Sequence, residues 1–385
     1  MRSGAARRLV RQIHLWIGLS LGALLLLAGL TGSALVFYVE IDRWLHPEIS
    51  APAASAPPDF DLALQTLRQA FPDKQGPWRF EVVGDGGAIP ARYYNPPERA
   101  DRAFAPMMVW LSPDGSSVLR RDYWGDYLMT WLYDLHYRLL LGTSGALIMG
   151  YAGLASLFLL MTGVWAWWPR KGRLRSGLRL KLRANPVRSL YDWHKLAGLI
   201  GAIPLLVVFA TGAMLSLPGE TRTVLEATLG PVSDVEPPLV QPQASSITIK
   251  SAIAAAAERL PDARLAWIET PGTSKNVYTL RLQAPEDPSR RFPHSYAYVS
   301  ATDASVLTVD DIRKHPPANV VLNWLHPLHE GSFGGIALRV IYFVVGLIPV
   351  ALFLTGLARW LIRRKRSSYA AFNANEARGG QTPKG

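Results

Sequence analysis

The sequence predicts a membrane α-helical protein. It has four transmembrane helices arranged as two internal repeats, and each repeat carries a small α+β module outside the membrane. Three observations carry this reading. Four apolar runs each supply about 20 or more residues, enough for a hydrocarbon core of about 30 Å. Lys and Arg collect at one end of these runs, as the positive-inside rule requires of cytoplasmic segments. A histidine phrase also repeats: His14 precedes Thr31-Gly32 by 17 residues and His194 precedes Thr211-Gly212 by 17, while His136 precedes Thr162-Gly163 by 26 and His329 precedes Thr355-Gly356 by 26.

Residues 1–38 read as a cytoplasmic N-terminus and a first span, Leu15–Tyr38. The run is too long for a signal peptide, and the small-residue segment Ala51–Ala56 comes well after it ends. Residues 39–142 form the first outside module: a Pro-rich linker at Ala51–Pro58, a helical pattern at Leu62–Ala70, and strands at Trp78–Val83, Ala91–Tyr94, Met107–Leu111 and Ser117–Arg121. The second span is Thr143–Trp168, within 143–168, and a basic cytoplasmic loop follows at 169–193. The third span is Leu196–Leu217, within 194–217. The second module, 218–335, has a linker at Pro237–Gln243, a helix at Ile249–Leu260, and strands at Arg264–Glu269, Val277–Leu282, Ser295–Ser300 and Val306–Val309. The fourth span is Val340–Trp360, within 336–362, and a cytoplasmic tail occupies 363–385. The modules then lie on the far side of the membrane, in a bacterial periplasm, with both termini in the cytoplasm.

Composition removes several function classes. The chain has no cysteine, which excludes disulfides, thiolate metal sites and iron–sulfur clusters. The net charge of +12 does not describe a nucleic-acid groove. Residues 1–12 carry four Lys/Arg, 169–193 eight and 359–385 seven, with two acids among all three, so the charge marks the ends of spans. The span interiors carry no Asp, Glu, Lys or Arg before Arg359, which argues against an ion-coupled transporter with ionisable groups at its midplane.

A single interfacial histidine is ordinarily an amphipathic side chain at headgroup level. A repeat at constant register asks for more. A pseudo-two-fold axis along the membrane normal brings His14 to His194 on the cytoplasmic side and His136 to His329 on the outer side. Each pair offers two imidazoles from opposed helices, which suits the axial positions of a haem iron. Gly18 and Gly198, one turn after His14 and His194, leave either room for a flat macrocycle or a small-residue helix contact. His326, at i, i+3 to His329, is a third candidate on the outer face, alone or sharing a metal with His136 and His329. His329 is favoured because His326 precedes Pro327, which places it at a helix entrance. The depth from His14 to Tyr38, about 36 Å of helix, sets the two pairs near opposite faces of the membrane.

Together these motifs resemble the PepSY-associated transmembrane helix family of iron-regulated membrane proteins. The resemblance rests on His14-x-x-x-Gly-Leu with Thr31-Gly32, Leu135-His136-Tyr-Arg-Leu-Leu-Leu-Gly142, and Thr162-Gly-Val-Trp-Ala-Trp-Trp-Pro169-Arg. It rests also on His194-x-x-x-Gly-Leu with Thr211-Gly212, and Leu325-His-Pro-Leu-His329-Glu-Gly-Ser-Phe-Gly-Gly335. The turn Asp303-Ala-Ser-Val-Leu307 fits the PepSY pattern without its usual Gly. The resemblance implies an inner-membrane protein with haem b in two copies, an oxidoreductase that reduces a ferric siderophore or similar ferric chelate in the periplasm. It makes His14, His194, His136 and His329 the axial ligands, with His326 as the alternative outer one. The electron donor would be a cytoplasmic reductant or a membrane quinol, since no Gly-x-Gly-x-x-Gly dinucleotide fingerprint is present. Tyr93, Tyr94, Tyr123, Trp124, Tyr296 and Tyr298 are candidate chelate contacts, although strand and interface packing is the better reading of each. Arg138, Arg188 and Arg339 are candidate partners of haem propionates. Two other readings compete. A non-enzymatic PepSY anchor that binds a protein or peptide would tolerate loss of the histidines, and a siderophore or metal permease would carry flux without reductant.

Overall fold

The computed structural model describes residues 2–50, 57–102, 104–169, 179, 185–238, 240, 247–272 and 276–379. The linkers at Ala51–Pro58 and Pro237–Gln243, the basic loop at 169–193 and the tail at 363–385 each fall wholly or partly outside the described residues. The chain divides into two units, one of Met1–Ala34, Gly150–Ala213 and Val340–Gly385, the other of Leu35–Met149 and Met214–Arg339.

In chain order the helices and strands are α1 (Arg2–Leu35), α2 (Tyr38–Leu45), α3 (Phe60–Ala70), β1 (Trp78–Glu81), β2 (Ile89–Tyr93), β3 (Met107–Leu111), β4 (Val118–Tyr123), α4 (Leu128–Arg138) and α5 (Gly142–Trp167). They continue as α6 (Pro186–Ser216), α7 (Pro218–Leu229), α8 (Ile249–Arg259), β5 (Arg264–Glu269), β6 (Val277–Gln283), β7 (Ser295–Ser300), β8 (Val306–Asp310), α9 (Pro317–Glu330) and α10 (Gly335–Gly379). Four segments, Gly4–Leu35, Gly142–Trp167, Pro186–Ser216 and Ser332–Arg366, are long and apolar enough to cross a membrane.

The helical unit closes into a ring of four helices by small residues and histidines. Between α1 and α10 the backbones come so close that a methyl group on Gly29 would lie 2.4 Å from the carbonyl oxygen of Gly346. The Ser33 hydroxyl donates to the Phe343 carbonyl across the same seam, at 3.0 Å. Between α5 and α6 a methyl group on Gly153 would lie 3.0 Å from Cβ of Ala213. Close approach of this kind is how spanning helices gain van der Waals contact without a hydrophobic driving force. The remaining seams, α1 with α5 and α6 with α10, are the histidine contacts described below.

In the other unit the two sets of strands expected as modules share one sheet. Its strands form one eight-stranded antiparallel sheet in the order β4-β3-β2-β1-β5-β6-β7-β8. The expected strands are present to within a few residues, but β1 pairs with β5, Arg79 opposite Glu269 and Phe80 opposite Ile268, so the two sets share one sheet. Fusion hides an edge strand of each module, which exposed would present unpaired backbone groups. Helices α3 and α8 cover one face with a shared core that includes Leu67, Phe80, Ile249, Ile268, Leu280 and Val299. Capping also crosses the join. Asp59 accepts from the N–H groups of Asp61 and Leu62 at the start of α3, while the Asp61 carboxylate accepts from those of Ile249 (2.6 Å) and Lys250 (3.1 Å) at the start of α8. Arg79 pairs with Glu269, and Arg291 with Glu81, across the same seam.

A polar cluster ties α9 to the sheet. The Asn323 side chain donates to Asp287 (2.9 Å), so its carbonyl oxygen is left to accept from Nδ1–H of His294 at 2.5 Å. The backbone N–H of His294 donates to the other Asp287 oxygen at 3.0 Å. Burial, reinforced by the nearby Arg281 charge, lowers His294 from the ordinary 6.5 to about 4, so it is neutral at pH 7.

Two expectations follow. Because the chain has no cysteine, Arg79→Cys with Glu269→Cys creates a pair able to close only within the protein. Mild oxidation should join them, and peptide mapping that recovers both as free thiols would contradict the β1–β5 pairing. For His294, the unfolded chain takes up a proton as pH falls through 6.5 while the folded one does not until about 4. The unit should therefore lose stability over that window, by up to about 3 kcal/mol, and not above it. In His294→Leu the fall in melting temperature between pH 6.5 and 4 should be shallower; an unchanged slope would show that His294 is not its source.

Candidate functional site

His14 and His194 sit inside helices, on α1 and α6, rather than at their first residues. Each is gripped by a neighbouring helix through the same set of groups. Nδ1 of His14 lies 3.2 Å from the Leu159 carbonyl oxygen and 3.1 Å from Oγ1 of Thr162, both on α5. Nδ1 of His194 lies 3.0 Å from the Leu352 carbonyl oxygen and 3.1 Å from Oγ1 of Thr355, both on α10. The threonine hydroxyls are already committed as donors, Thr162 to Leu159 at 2.8 Å and Thr355 to Ala351 at 2.6 Å. Only acceptors therefore face each Nδ1, which must carry the proton. The lone pair is left on Nε2, and this is the tautomer a metal-ligating histidine adopts when a carbonyl holds its other nitrogen.

The glycine after the first threonine makes room for the ring, whereas at the second a Cβ would be in ordinary contact with it. A methyl group on Gly163 would lie 2.9 Å from Cε1 of His14, and one on Gly356 would lie 3.5 Å from Cε1 of His194. Gly18 and Gly198 differ. A methyl group there would meet only a leucine Cδ, at 3.8 and 3.7 Å, which is ordinary contact. Helix packing thus does not require a glycine at either position. The two imidazoles face each other with ring centres 6.2 Å apart and planes at 88°.

The second pair lies on short helices rather than at the starts of spans. His136 is on α4 and His329 on α9. A left-handed corner separates α4 from α5, with positive φ at Leu139 (51°), Leu140 (58°) and Gly142 (60°), and another separates α9 from α10, at Gly331 (71°) and Gly335 (64°). The ring centres of His136 and His329 are again 6.2 Å apart, with planes at 49°.

His326 is not at a helix entrance. Pro327 lies inside α9, which runs on to Glu330 and closes where the Gly331 N–H donates to the Pro327 carbonyl at 2.9 Å. The bias of a pre-proline residue against helix is overridden by ten residues of established helix ahead of it. The His326 ring packs on Phe292 at 5.9 Å, and Phe292 stacks on Trp267 at 5.9 Å and 12°. The structure therefore brings His136 together with His329, and turns His326 to an aromatic stack.

The remaining candidates have structural tasks. Trp124 and Tyr298 are buried, Tyr123 donates to Glu98 at 2.6 Å, and Tyr93 accepts from the Gly76 N–H at 3.1 Å. Arg79 lies over Tyr94 at 4.7 Å, and Tyr296 stacks on Tyr298. Arg339 donates to both oxygens of Glu40 (2.7 and 2.8 Å) and to the Val36 carbonyl (2.6 Å). Arg188 is paired with Asp192 at 3.0 Å, and Arg138 lies over Tyr137 at 5.0 Å. Sequence reasoning missed the grip of Thr162 on His14 and of Thr355 on His194. The threonines stood out by spacing, but a helix neighbour 148 or 161 residues away leaves no local signal.

No curated protein matches the chain. Residues 11–363, nearly its whole length, match the family model of the PepSY-associated TM region, as the histidine and Thr-Gly motifs led one to expect, and the protein belongs to that family.

Proposed function

We propose that this protein is an inner-membrane b-type dihaem oxidoreductase that moves electrons across the bilayer to a ferric siderophore or similar ferric chelate in the periplasm. The observation that carries the reading is the separation of the paired imidazoles, 6.2 Å between ring centres in both pairs. Two metal–nitrogen bonds of about 2.0 Å each, plus the two ring radii, come to about 6 Å. Among the described residues no group of three or more His, Asp or Glu could hold a metal. A metal between two imidazoles must then bring its other ligands with it, as a porphyrin iron does. When bound, haem supplies one-electron redox chemistry; the chain supplies ligand orientation, burial and access.

In this reading His14 and His194 hold the cytoplasmic-side haem, and His136 and His329 the periplasmic-side one. The carbonyls of Leu159 and Leu352 fix the tautomer and rotation of the first pair, so each Nε2 is presented in advance. Gly18 and Gly198 leave open a turn that packing does not require, which suits the approach of a flat macrocycle. The equivalent contacts of His14 and His194 support an origin of the helices as two internal repeats. The basic ends of the spans support cytoplasmic termini, and the sheet then faces the periplasm with the iron chelate as its partner. Electrons would enter from a membrane quinol or a cytoplasmic reductant.

Reduced-minus-oxidised spectra with haem quantitation test this on the full chain. Wild type should carry two haems. His14→Ala or His194→Ala should remove one, His136→Ala or His329→Ala the other, and His326→Ala neither. Absence of a Soret band after expression with ample haem would sink the proposal. Gly18→Ala should leave the haem-free protein at least as stable as wild type, by up to about 1 kcal/mol, yet weaken haem binding at that site. A variant that binds haem normally would show that no macrocycle approaches Gly18.

A further inference from the structure

One half-buried charge has no role in the account above. Arg359 lies on α10 one turn beyond Thr355 and Gly356, the residues that grip His194. Its guanidinium carbon sits 4.9 Å from the centre of the Tyr191 ring, and Tyr191 lies three residues before His194 on α6. The α6–α10 seam thus has two successive layers: one pins the histidine, the next holds a cation. Arg359 is close enough to His194 to act on it electrostatically. Its Nε is buried and finds no hydrogen-bond partner among the described residues.

The surroundings are cationic. Arg11, Arg188 and Arg363 all lie near enough to repel Arg359. The one acid on this stretch of α6, Asp192, is fully buried and already takes Arg188 at 3.0 Å and Lys195 at 3.0 Å. Stacking on Tyr191 covers one face of the guanidinium but gives the buried Nε–H no acceptor. A buried donor without a partner costs free energy. An ionisable group at this depth of a spanning segment is a functional-site candidate.

We propose that Arg359, supported by Arg11, Arg188 and Arg363, is the receptor for the carboxylates of the planar group held between His14 and His194. This rests on the haem reading, in which those carboxylates are the two propionates. Arg forks match carboxylates through paired N–H donors, so Arg359 would set the rotation of the macrocycle about the axis joining the two Nε2 atoms. Arg359 is a positioning residue and touches no iron ligand directly. A lipid phosphate at the bilayer boundary is the other oxyanion with this chemistry, and the test separates the two.

The full chain carrying His136→Ala, prepared free of haem in lipid-free detergent, is titrated with haem and with haem dimethyl ester, following the Soret band. The ester has the same ring and iron but no carboxylate charge. The parent protein should bind haem about tenfold or more tighter than the ester. Arg359→Gln should lower haem affinity by that factor, leave ester affinity unchanged and so abolish the preference. Arg359→Lys should keep part of it. A parent protein that binds both porphyrins equally would overturn the assignment, and lipid phosphate would then be the occupant. Arg359→Gln that retains the full preference would overturn it too. If neither porphyrin binds, the haem reading fails and takes this one with it; binding without preference sinks only the Arg359 assignment.

Discussion

Each buried histidine of the first pair is held at Nδ1 by a helix other than its own, and the helical unit depends on that contact. In an apolar surrounding an imidazole N–H has no water to turn to, and an unmade bond costs about 1–3 kcal/mol. The Leu159 and Leu352 carbonyls can serve because they are also the acceptors, or neighbours of the acceptors, that threonine hydroxyls use three and four residues on. Such back-bonding bends a helix slightly and turns a carbonyl outward. Thr162 and Thr355 thereby stand beside the acceptor that the histidine needs, and at Gly163 the absent Cβ also clears the space beside the His14 ring.

The sheet depends on a comparable economy. Each set of four strands with one helix is too small to bury its own faces well, since small domains recover a low fraction of their surface on folding. Joining β1 to β5 lets α3 and α8 share a core, and Asp61 serves both helices, inside the first turn of α3 and as an acceptor at the start of α8. The second set does a further task. Through His294, Asn323 and Asp287 it fixes α9, and with it the position of His329.

Much of this was legible in the sequence. Hydropathy located the spans because a bilayer imposes length and composition on any helix crossing it. Strand alternation and turn residues located all eight strands because side-chain period is a local property. Constant spacing singled out four histidines, and the structure pairs those four. What failed was tertiary. Whether two edge strands meet cannot be read from either strand. The short helices α4 and α9 fall within the expected modules but were not read as helices. His326 was set at a helix entrance because a local rule about proline was applied where ten preceding helical residues outweigh it. Arg359 passed as a flanking charge, since its place over Tyr191 across the seam leaves no local signal.

The two corners solve one geometric problem with different residues, and the difference is informative. Between α9 and α10 the positive φ values fall on Gly331 and Gly335, where they cost little. Between α4 and α5 two of them fall on Leu139 and Leu140, which pay roughly 1–2 kcal/mol each for that conformation. Local bonds hold the strain in place: the Leu139 and Leu140 N–H groups donate to the Leu135 and Asp134 carbonyls, and the Leu141 N–H to that of Arg138. Leu140 and Leu141 are themselves exposed, at 47% and 60%. In water such a corner would favour glycine. The strained turn comes directly after His136 and fixes where α4 stops. Strain of this kind persists where the surrounding structure over-determines it, and such places cluster at functional sites. The corner is thus a second, independent mark on the helix that carries His136.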